Sequence, residues 1–246
     1  MTERELAQRY YRVYAEQLRR GARASGQPDP ILEVADEVVA AFGGDGHFLT
    51  QVVGMGHVGR EHWDRIEAWY GDRTGSYEAA VCPLERPESP GELVAYGFTS
   101  FAWTRVSGRR TDDPPSVEAD VHAEGDPEVW AQTLAAANVG GVELYRNMAG
   151  LEGGVLFFAE VEGETAGVSL LLETEDGAYL SCGGVRPEYR GRGLHAAMIA
   201  ARLRHLGLGK LAFFEADNWT TSGRNGARAG FIPVIDNLLL RKSLRR

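Results

Sequence analysis

Val185-Arg186-Pro187-Glu188-Tyr189-Arg190-Gly191-Arg192-Gly193-Leu194-His195-Ala196 joins a β-rich run to an amphipathic one. Ahead of it, Ala178 to Val185 (AYLSCGGV) predicts a strand. Behind it, Leu194, Met198, Leu203 and Leu206 recur at helical steps and Gly207 stops the pattern, so residues 194–206 predict a helix. A strand ends, a glycine loop turns, and a helix begins. The first amides of a helix have no partner within it and point outward. The helix dipole adds positive potential at the same place. Gly191 and Gly193 carry no Cβ to hold a ligand away from those amides. Together these features predict an anion site, most simply for a pyrophosphate. Arg190 and Arg192 are placed to add charge-assisted bonds.

Upstream, three strands follow one another: Gly154 to Val161, Thr165 to Thr174 and Ala178 to Val185. The turns between them are short, which makes the pairing antiparallel. Asp126 predicts an N-cap for a helix through Ala137, with Val129, Trp130 and Leu134 inward. Downstream come an apolar strand at Leu211 to Phe214, a short helix at Thr220 to Ala229, and one or two strands between Phe231 and Leu240.

The first half is less punctuated. Leu6, Tyr10, Val13, Tyr14 and Leu18 predict a helix over residues 3–24. A second helix is expected from Ile31 to Phe42, with Val34, Val38 and Phe42 on one face. Further out lie a strand at His47 to Met55, a helix at Arg60 to Tyr70, a strand at Ser76 to Cys82, a turn or helix at Glu92 to Ala95, and a strand at Gly97 to Val106. Ser107 to Ser116 has the composition of a linker. The expected organisation is residues 1–110, a linker at 111–117, and residues 118–246.

The 246 residues carry a formal charge of −9 with 43% hydrophobic content. Such a chain is expected to be globular, and its acidity argues against general nucleic-acid binding. The only lysines are Lys210 and Lys242. Cys82 and Cys182 stand far apart with no second ligand at metal spacing, so neither a disulfide framework nor a zinc site is expected. No apolar run is long enough to span a membrane, and the charged N-terminus does not read as a signal peptide, so a cytoplasmic setting is expected.

Gly191-x-Gly193-x-x-Ala196 also matches a dinucleotide fingerprint. Context argues against that ligand: polar residues separate the loop from its strand, the preceding strands are antiparallel, and little chain remains for further βαβ units. A P-loop is excluded because no Gly-Lys-Ser/Thr triplet occurs.

The segment from about Trp130 to Lys242 resembles the GCN5-related N-acetyltransferases. Its loop is similar to their acyl-CoA motif, Arg/Gln-x-x-Gly-x-Gly/Ala, with Arg190, Gly193 and His195 on the fixed positions. His195 departs from the small residue expected last. Phe213 to Asn218, Ser222 and Arg228-Ala229-Gly230-Phe231 resemble the family's second half. More faintly, Phe48 to Met55, Gly56, Arg60 to Tyr70, Tyr77 to Cys82 and Tyr96-Gly97-Phe98 resemble a degenerate copy without the glycine loop. That copy is expected to bind no cofactor; walling an acceptor cleft and a purely structural role stay equally open.

The resemblance implies an α+β fold with a mixed, mostly antiparallel sheet flanked by helices, in two tandem units. It implies acetyl transfer from acetyl-CoA to a primary amine, with a small-molecule amine as the expected partner ahead of a peptide or protein N-terminus, and neither nucleic acid nor membrane. Glu215, at the end of an apolar strand, is the candidate base; Glu173 is a second, more in keeping with a surface hairpin. Amides from Cys182 to Val185 are candidates to meet the thioester carbonyl, with Gly183 and Gly184 permitting close approach. Gly183, Val185, Arg190, Gly191, Arg192, Gly193, Leu194, His195 and Ala196 form the expected cofactor-binding set. Asn218 and Asn225 join it, although each could equally cap a helix. Cys182 is expected to be a small buried hydrophobe rather than a nucleophile. Gly226 stands where the family often has a tyrosine that protonates the leaving thiolate, which keeps open a non-catalytic acyl-CoA-binding module.

Overall fold

The computed structural model describes residues 1–54, 58–82, 84, 90–116, 119–138, 141–217 and 219–244. The chain forms two compact units. Unit 1 comprises Met1–Arg105 and Val234–Arg246, and unit 2 comprises Val106–Pro233.

In unit 1, α1 (Glu3–Ala24) opens on a capping box. The Thr2 hydroxyl accepts from the Glu5 amide at 3.2 Å, and the Glu5 carboxylate accepts from the Thr2 amide at 2.7 Å. β1 (Ile31–Ala35) and β2 (Val38–Ala41) form an antiparallel hairpin, and β3 (Gln51–Gly54) extends it. α2 (Arg60–Gly71) then crosses to β4 (Ser76–Val81), which lies parallel to β3. α3 (Pro90–Ala95) leads into β5 (Phe98–Arg110). The core gathers Val34, Val38, Phe42, Trp63, Ile66, Tyr70, Tyr77 and Phe98.

The helix expected over Ile31 to Phe42 is a hairpin. Val34, Val38 and Phe42 do share the core, as read. A four-residue spacing is even, so it marks one face of a strand as well as one face of a helix. Glu37 in the left-handed region (φ 61°) makes the reversal, and β-branched residues fill the strands on both sides of it.

In unit 2, β6 (Val121–His122) precedes α4 (Pro127–Ala137) and α5 (Val142–Ala149). The Asp126 carboxylate caps α4, accepting from the Glu128 amide at 2.8 Å. β7 (Gly154–Val161), β8 (Glu164–Thr174) and β9 (Gly177–Val185) are the antiparallel meander read from the sequence. After a single 3-10 turn at Pro187–Tyr189, α6 (Leu194–Leu206) leads to β10 (Leu211–Glu215), parallel to β9. α7 (Thr221–Arg228) and β11 (Ile232–Ser243) close the chain. Ile199, Leu203 and Leu206 of α6 pack on Leu171, Leu180 and Phe214. Each such buried side chain stabilises the fold by roughly 1.5–3 kcal/mol. α5 was not expected from the sequence.

The units do not divide at the expected linker. Val106 to Arg110, the end of β5, pair antiparallel with Leu211 to Glu215. Thr111 is fully buried, its amide donating to Lys210 O at 2.9 Å, and Pro115 O accepts from Arg204 at 3.1 Å. The arginine- and proline-rich stretch is thus laced into unit 2. At the other end, β11 pairs with β4 from Leu238↔Val81 to Ser243↔Ser76, so Val234 onward returns to unit 1. The basic end of the sequence is therefore a strand through Ser243, with Arg241 bonded to Glu78 at 2.7 Å.

Candidate functional site

The site is built on β9. Against β8 its register runs Leu171↔Leu180 and Leu170↔Ser181, then resumes at Val168↔Gly184. Ser169 alone therefore opposes both Cys182 and Gly183. This is a β-bulge, with Cys182 in the left-handed region (φ 49°). A bulge leaves one residue outside the ladder and reverses which way the following side chains face. Before it, Leu180 packs toward α6. After it, a Cβ on Gly183 would lie 3.2 Å from His195 Nε2, on the α6 face, and one on Gly184 would lie 2.8 Å from Ala137 Cβ, on the α4 face. Gly184 is glycine because α4 leaves no room for more.

β10 accompanies β9 for only Ala212↔Ala178, Phe213↔Tyr179 and Phe214↔Leu180. Glu215 stands one residue past the last pair, level with Ser181. Phe214 packs toward α6, so Glu215 faces the opposite side. There the Tyr179 hydroxyl donates to its Oε2 at 2.8 Å. Tyr145 of α5 reaches the same region: burial and the nearby Cys182 thiol both push its hydroxyl above the ordinary range. Burial also pushes the Cys182 thiol up, against a hydrogen bond donated by Ser181 Oγ at 3.3 Å. Neither Cys82 nor Cys182 is in a disulfide.

Beyond β9 the expected loop takes shape. Gly191 and Gly193 have φ of 80° and 79°, and the space where their Cβ atoms would stand is open to 4 Å. Gly193 is the N-cap of α6, and among the described residues no side chain caps the first amides of that helix. Unclaimed amides therefore face open space, which is what a diphosphate needs. Leu194 is buried beside Met198, Ala159 and Ala166 and fixes the angle of the helix. Ala196 is half-buried, and Val185 ends β9 opposite Gly167.

The arginines are used differently. Arg190 donates from Nη2 to Ala137 O at 2.8 Å and from Nε to Val185 O at 3.2 Å, tying the loop to the carbonyl end of α4. The Arg192 guanidinium lies 5.5 Å from the centre of the Tyr189 ring.

His195 turns inward. Asn225 Nδ2 is 3.2 Å from His195 Nδ1, and Arg228 donates to Asn225 Oδ1 at 3.4 Å. The arginine can only donate, so it fixes the amide's orientation and leaves Nδ2 to donate to Nδ1. The imidazole then carries its proton on Nε2, 3.5 Å from Ser222 Oγ. Burial, with Arg202 adding to it, pushes its pKa down to about 4. His195 is a neutral donor at working pH. Asn225 is thus bonded to His195 and is not the helix cap; the cap of α7 is Thr220, whose hydroxyl accepts from the Gly223 amide at 3.0 Å. Asn218 lies outside the described residues, as do residues 55 and 56 of the first half.

Gly226 has a packing reason. A Cβ there would lie 2.7 Å from Phe214 Cε1, so the ring occupies the place that a side chain would need. Glu173 pairs with Ala178 at the hairpin end of β8 and stays away from the bulge. Sequence reading missed Tyr145, Tyr179 and Arg202. Tyr145 was hidden with its helix. Tyr179 lies two residues from Ser181 and so shares its face of the strand, a signal that could have placed it beside Glu215. Among the described residues no group of His, Cys, Asp and Glu could hold a metal ion, and no helix is long and apolar enough to cross a membrane.

Solved structures share this architecture. A GCN5-related N-acetyltransferase from Kribbella flavida is 14% identical, with 93% of this chain and 95% of that one covered at a TM-score of 0.66. One from Sphaerobacter thermophilus is 16% identical over 100% and 95% of the two chains, with a TM-score of 0.62. A tandem protein of this kind from the clavulanic acid biosynthesis pathway, solved without AcCoA, is 17% identical over 85% and 78%, with a TM-score of 0.57. No family model matches the chain, and no curated protein does. The chain has the GCN5-related N-acetyltransferase fold. It is the tandem form of that fold, with a mixed, mostly antiparallel arrangement of strands flanked by helices.

Proposed function

We propose that unit 2 is an acetyl-CoA-dependent N-acetyltransferase acting on a primary amine of a small molecule. The observation that carries this reading is the conjunction, on one strand, of a bulge, a parted neighbour strand and an uncapped glycine-led helix start. Amides of Gly193 to Ala196 would hold the diphosphate, and amides near Cys182 and Gly183 would donate to the thioester oxygen. Acetyl-CoA supplies an acyl group already activated as a thioester.

Glu215 is assigned as the base. An ammonium ion has no lone pair, so a proton must leave the amine before or as nitrogen bonds to the acyl carbon. Tyr179 holds the carboxylate by one oxygen and leaves its orientation defined. Tyr145 and Ser181 line the same face, where the amine would approach. The acidic chain favours a cationic acceptor by long-range attraction. We place the protein in the cytoplasm, in keeping with its two cysteines outside disulfides.

Calorimetry with acetyl-CoA and NAD(P), followed by thiol release against an amine panel, tests the reading. Binding of acetyl-CoA alone, with amine-dependent thiol release, is the expected result. Binding without turnover favours the non-catalytic acyl-CoA module, which the filled space at Gly226 supports. Indifference to acetyl-CoA at millimolar concentration defeats both.

A further inference from the structure

Arg202 interrupts the apolar face of α6. It is 1% exposed, and among the described residues no carboxylate pairs with it. An ionised group in such a place is costly unless its donors are used. Nε donates to Met198 O at 3.1 Å within the helix. Nη1 bridges two strands, reaching Leu170 O at 3.1 Å and Ser181 O at 3.2 Å. Those residues form the last register pair before the bulge. Among the described residues Nη2 has no hydrogen-bond partner, and it lies 3.9 Å from where a Cβ on Gly183 would be. A second buried polar atom, Ser169 Oγ, also lacks a partner among the described residues. Ser169 is the residue opposite the bulge, and it shares the α6 face with Leu171. Two orphaned polar atoms thus sit behind one short piece of strand, where packing alone would favour a leucine.

We propose that Arg202 is a positioning residue of the acyl site: it pins the Ser181–Gly183 bulge and sets a positive charge behind it that stabilises the departing sulfur of coenzyme A. This rests on the acyl-CoA reading of unit 2. As the amine nitrogen bonds to the acyl carbon, the carbon–sulfur bond breaks and sulfur keeps the electron pair. The ammonium ion's extra proton goes to Glu215; the second proton, shed by nitrogen as the amide forms, passes through water to the departing thiolate and gives coenzyme A thiol, and Arg202 keeps its own proton throughout. The titratable groups around it are Cys182 on β9 and His195 on α6; the facing α7 offers Ser222 and Asn225, which do not titrate. With Gly226 in place of a hydroxyl-bearing residue, a fixed cation takes over part of the acid's task.

The test needs no turnover. Coenzyme A is bound to the wild-type protein and to Arg202→Lys and Arg202→Met, and the bound thiol is titrated by thiolate absorbance against the ligand-free protein. In the wild type the bound thiol should titrate about one pH unit below free coenzyme A, a tenfold gain in thiolate. Arg202→Lys should keep most of that shift, and Arg202→Met should lose it. Turnover should split the same way, with kcat falling at least tenfold in Arg202→Met while KM for acetyl-CoA moves less than threefold. An unshifted thiol in the wild type, or an equal shift in Arg202→Met, overturns the proposal while leaving the acyl-CoA reading standing. Failure of the wild type to bind coenzyme A overturns both. Should Arg202→Met not fold, the wild-type titration and Arg202→Lys decide the matter.

Discussion

In unit 1, β3 and β4 run parallel through four consecutive pairs, Gln51↔Glu78 to Gly54↔Val81. In unit 2, β9 and β10 manage three, Ala212↔Ala178 to Phe214↔Leu180, before β9 bulges and β10 ends. Both units reach this point by the same route: a three-strand antiparallel run, a helix, and a parallel return strand. The helix starts also differ. On α2 the His62 imidazole accepts from the amide of the N-cap Gly59 at 3.1 Å, a bond with no counterpart at Gly193 among the described residues, although neither helix has a side-chain cap on its first amides. Gly59 is the N-cap at an ordinary φ of −74°, while Gly193 sits at 79°. The lesson is that the fold does not itself supply a site. A site arises where strand pairing is given up and backbone amides are left for a ligand.

The most direct way to break this comparison is to disable one loop at a time. Gly193→Val forces a β-branched residue into the left-handed region and covers the amides. Acetyl-CoA affinity, by calorimetry, should fall at least about 1,000-fold, or about 4 kcal/mol. Gly59→Ala in unit 1 should leave that affinity unchanged. Equal losses in both variants would mean that the ligand does not belong to unit 2.

Next in size is the base. Glu215→Gln keeps the shape of the side chain and removes the proton acceptor. It should lower kcat roughly 100-fold, about 3 kcal/mol in barrier, with acetyl-CoA affinity held within a factor of two. Normal turnover would remove Glu215 from the assignment and return attention to Tyr145 and Tyr179.

Unit 2 was legible because its elements announce themselves. Short turns, alternating apolar residues and a glycine loop fixed the meander, α6 and β10 to within a residue or so. The bulge was not legible: Cys182-Gly183-Gly184 suggested close approach, but the register slip appears only once β8 is placed beside it. Arg202 was invisible because an arginine on a helix reads as solvent-facing until the sheet covers it. Unit 1 was harder, since Val34, Val38 and Phe42 fit a helix and a hairpin alike. The exchange of β11 back to unit 1 depends on pairing with β4, distant in sequence, and composition carries no sign of it.

A third effect, of similar size, separates the units by pH. The pKa of His195 in unit 2 is held at about 4, against an ordinary 6.5. Between those values the unfolded chain binds a proton that the folded chain refuses. Stability is therefore present above pH 6.5 and is lost as pH falls toward 4, by up to about 3 kcal/mol. Denaturant melts from pH 7 to 4 should show the loss, and His195→Gln should flatten it. An unchanged slope in His195→Gln would mean that another group, such as His47 of unit 1, whose pKa burial also lowers, carries the acid sensitivity.

The smallest effect concerns why unit 1 stays closed. β3 ends at Gly54, with φ 147°, and a Cβ there would lie 1.9 Å from Glu37 O at the β1–β2 turn. That carbonyl belongs to backbone and cannot swing aside as a side-chain tip would. Gly54→Ala must therefore displace either the turn or the end of β3, just where unit 2 has its bulge. A destabilisation of about 2 kcal/mol is expected, read from denaturant midpoints, with the acetyl-CoA affinity of unit 2 untouched. If the variant instead gained a second acetyl-CoA equivalent, the packed turn would be what keeps the first unit from binding, and the missing glycine loop would not be the deciding difference. If stability and stoichiometry both held, the close approach of Gly54 to Glu37 would contribute nothing, and the four-pair ladder alone would account for the closure.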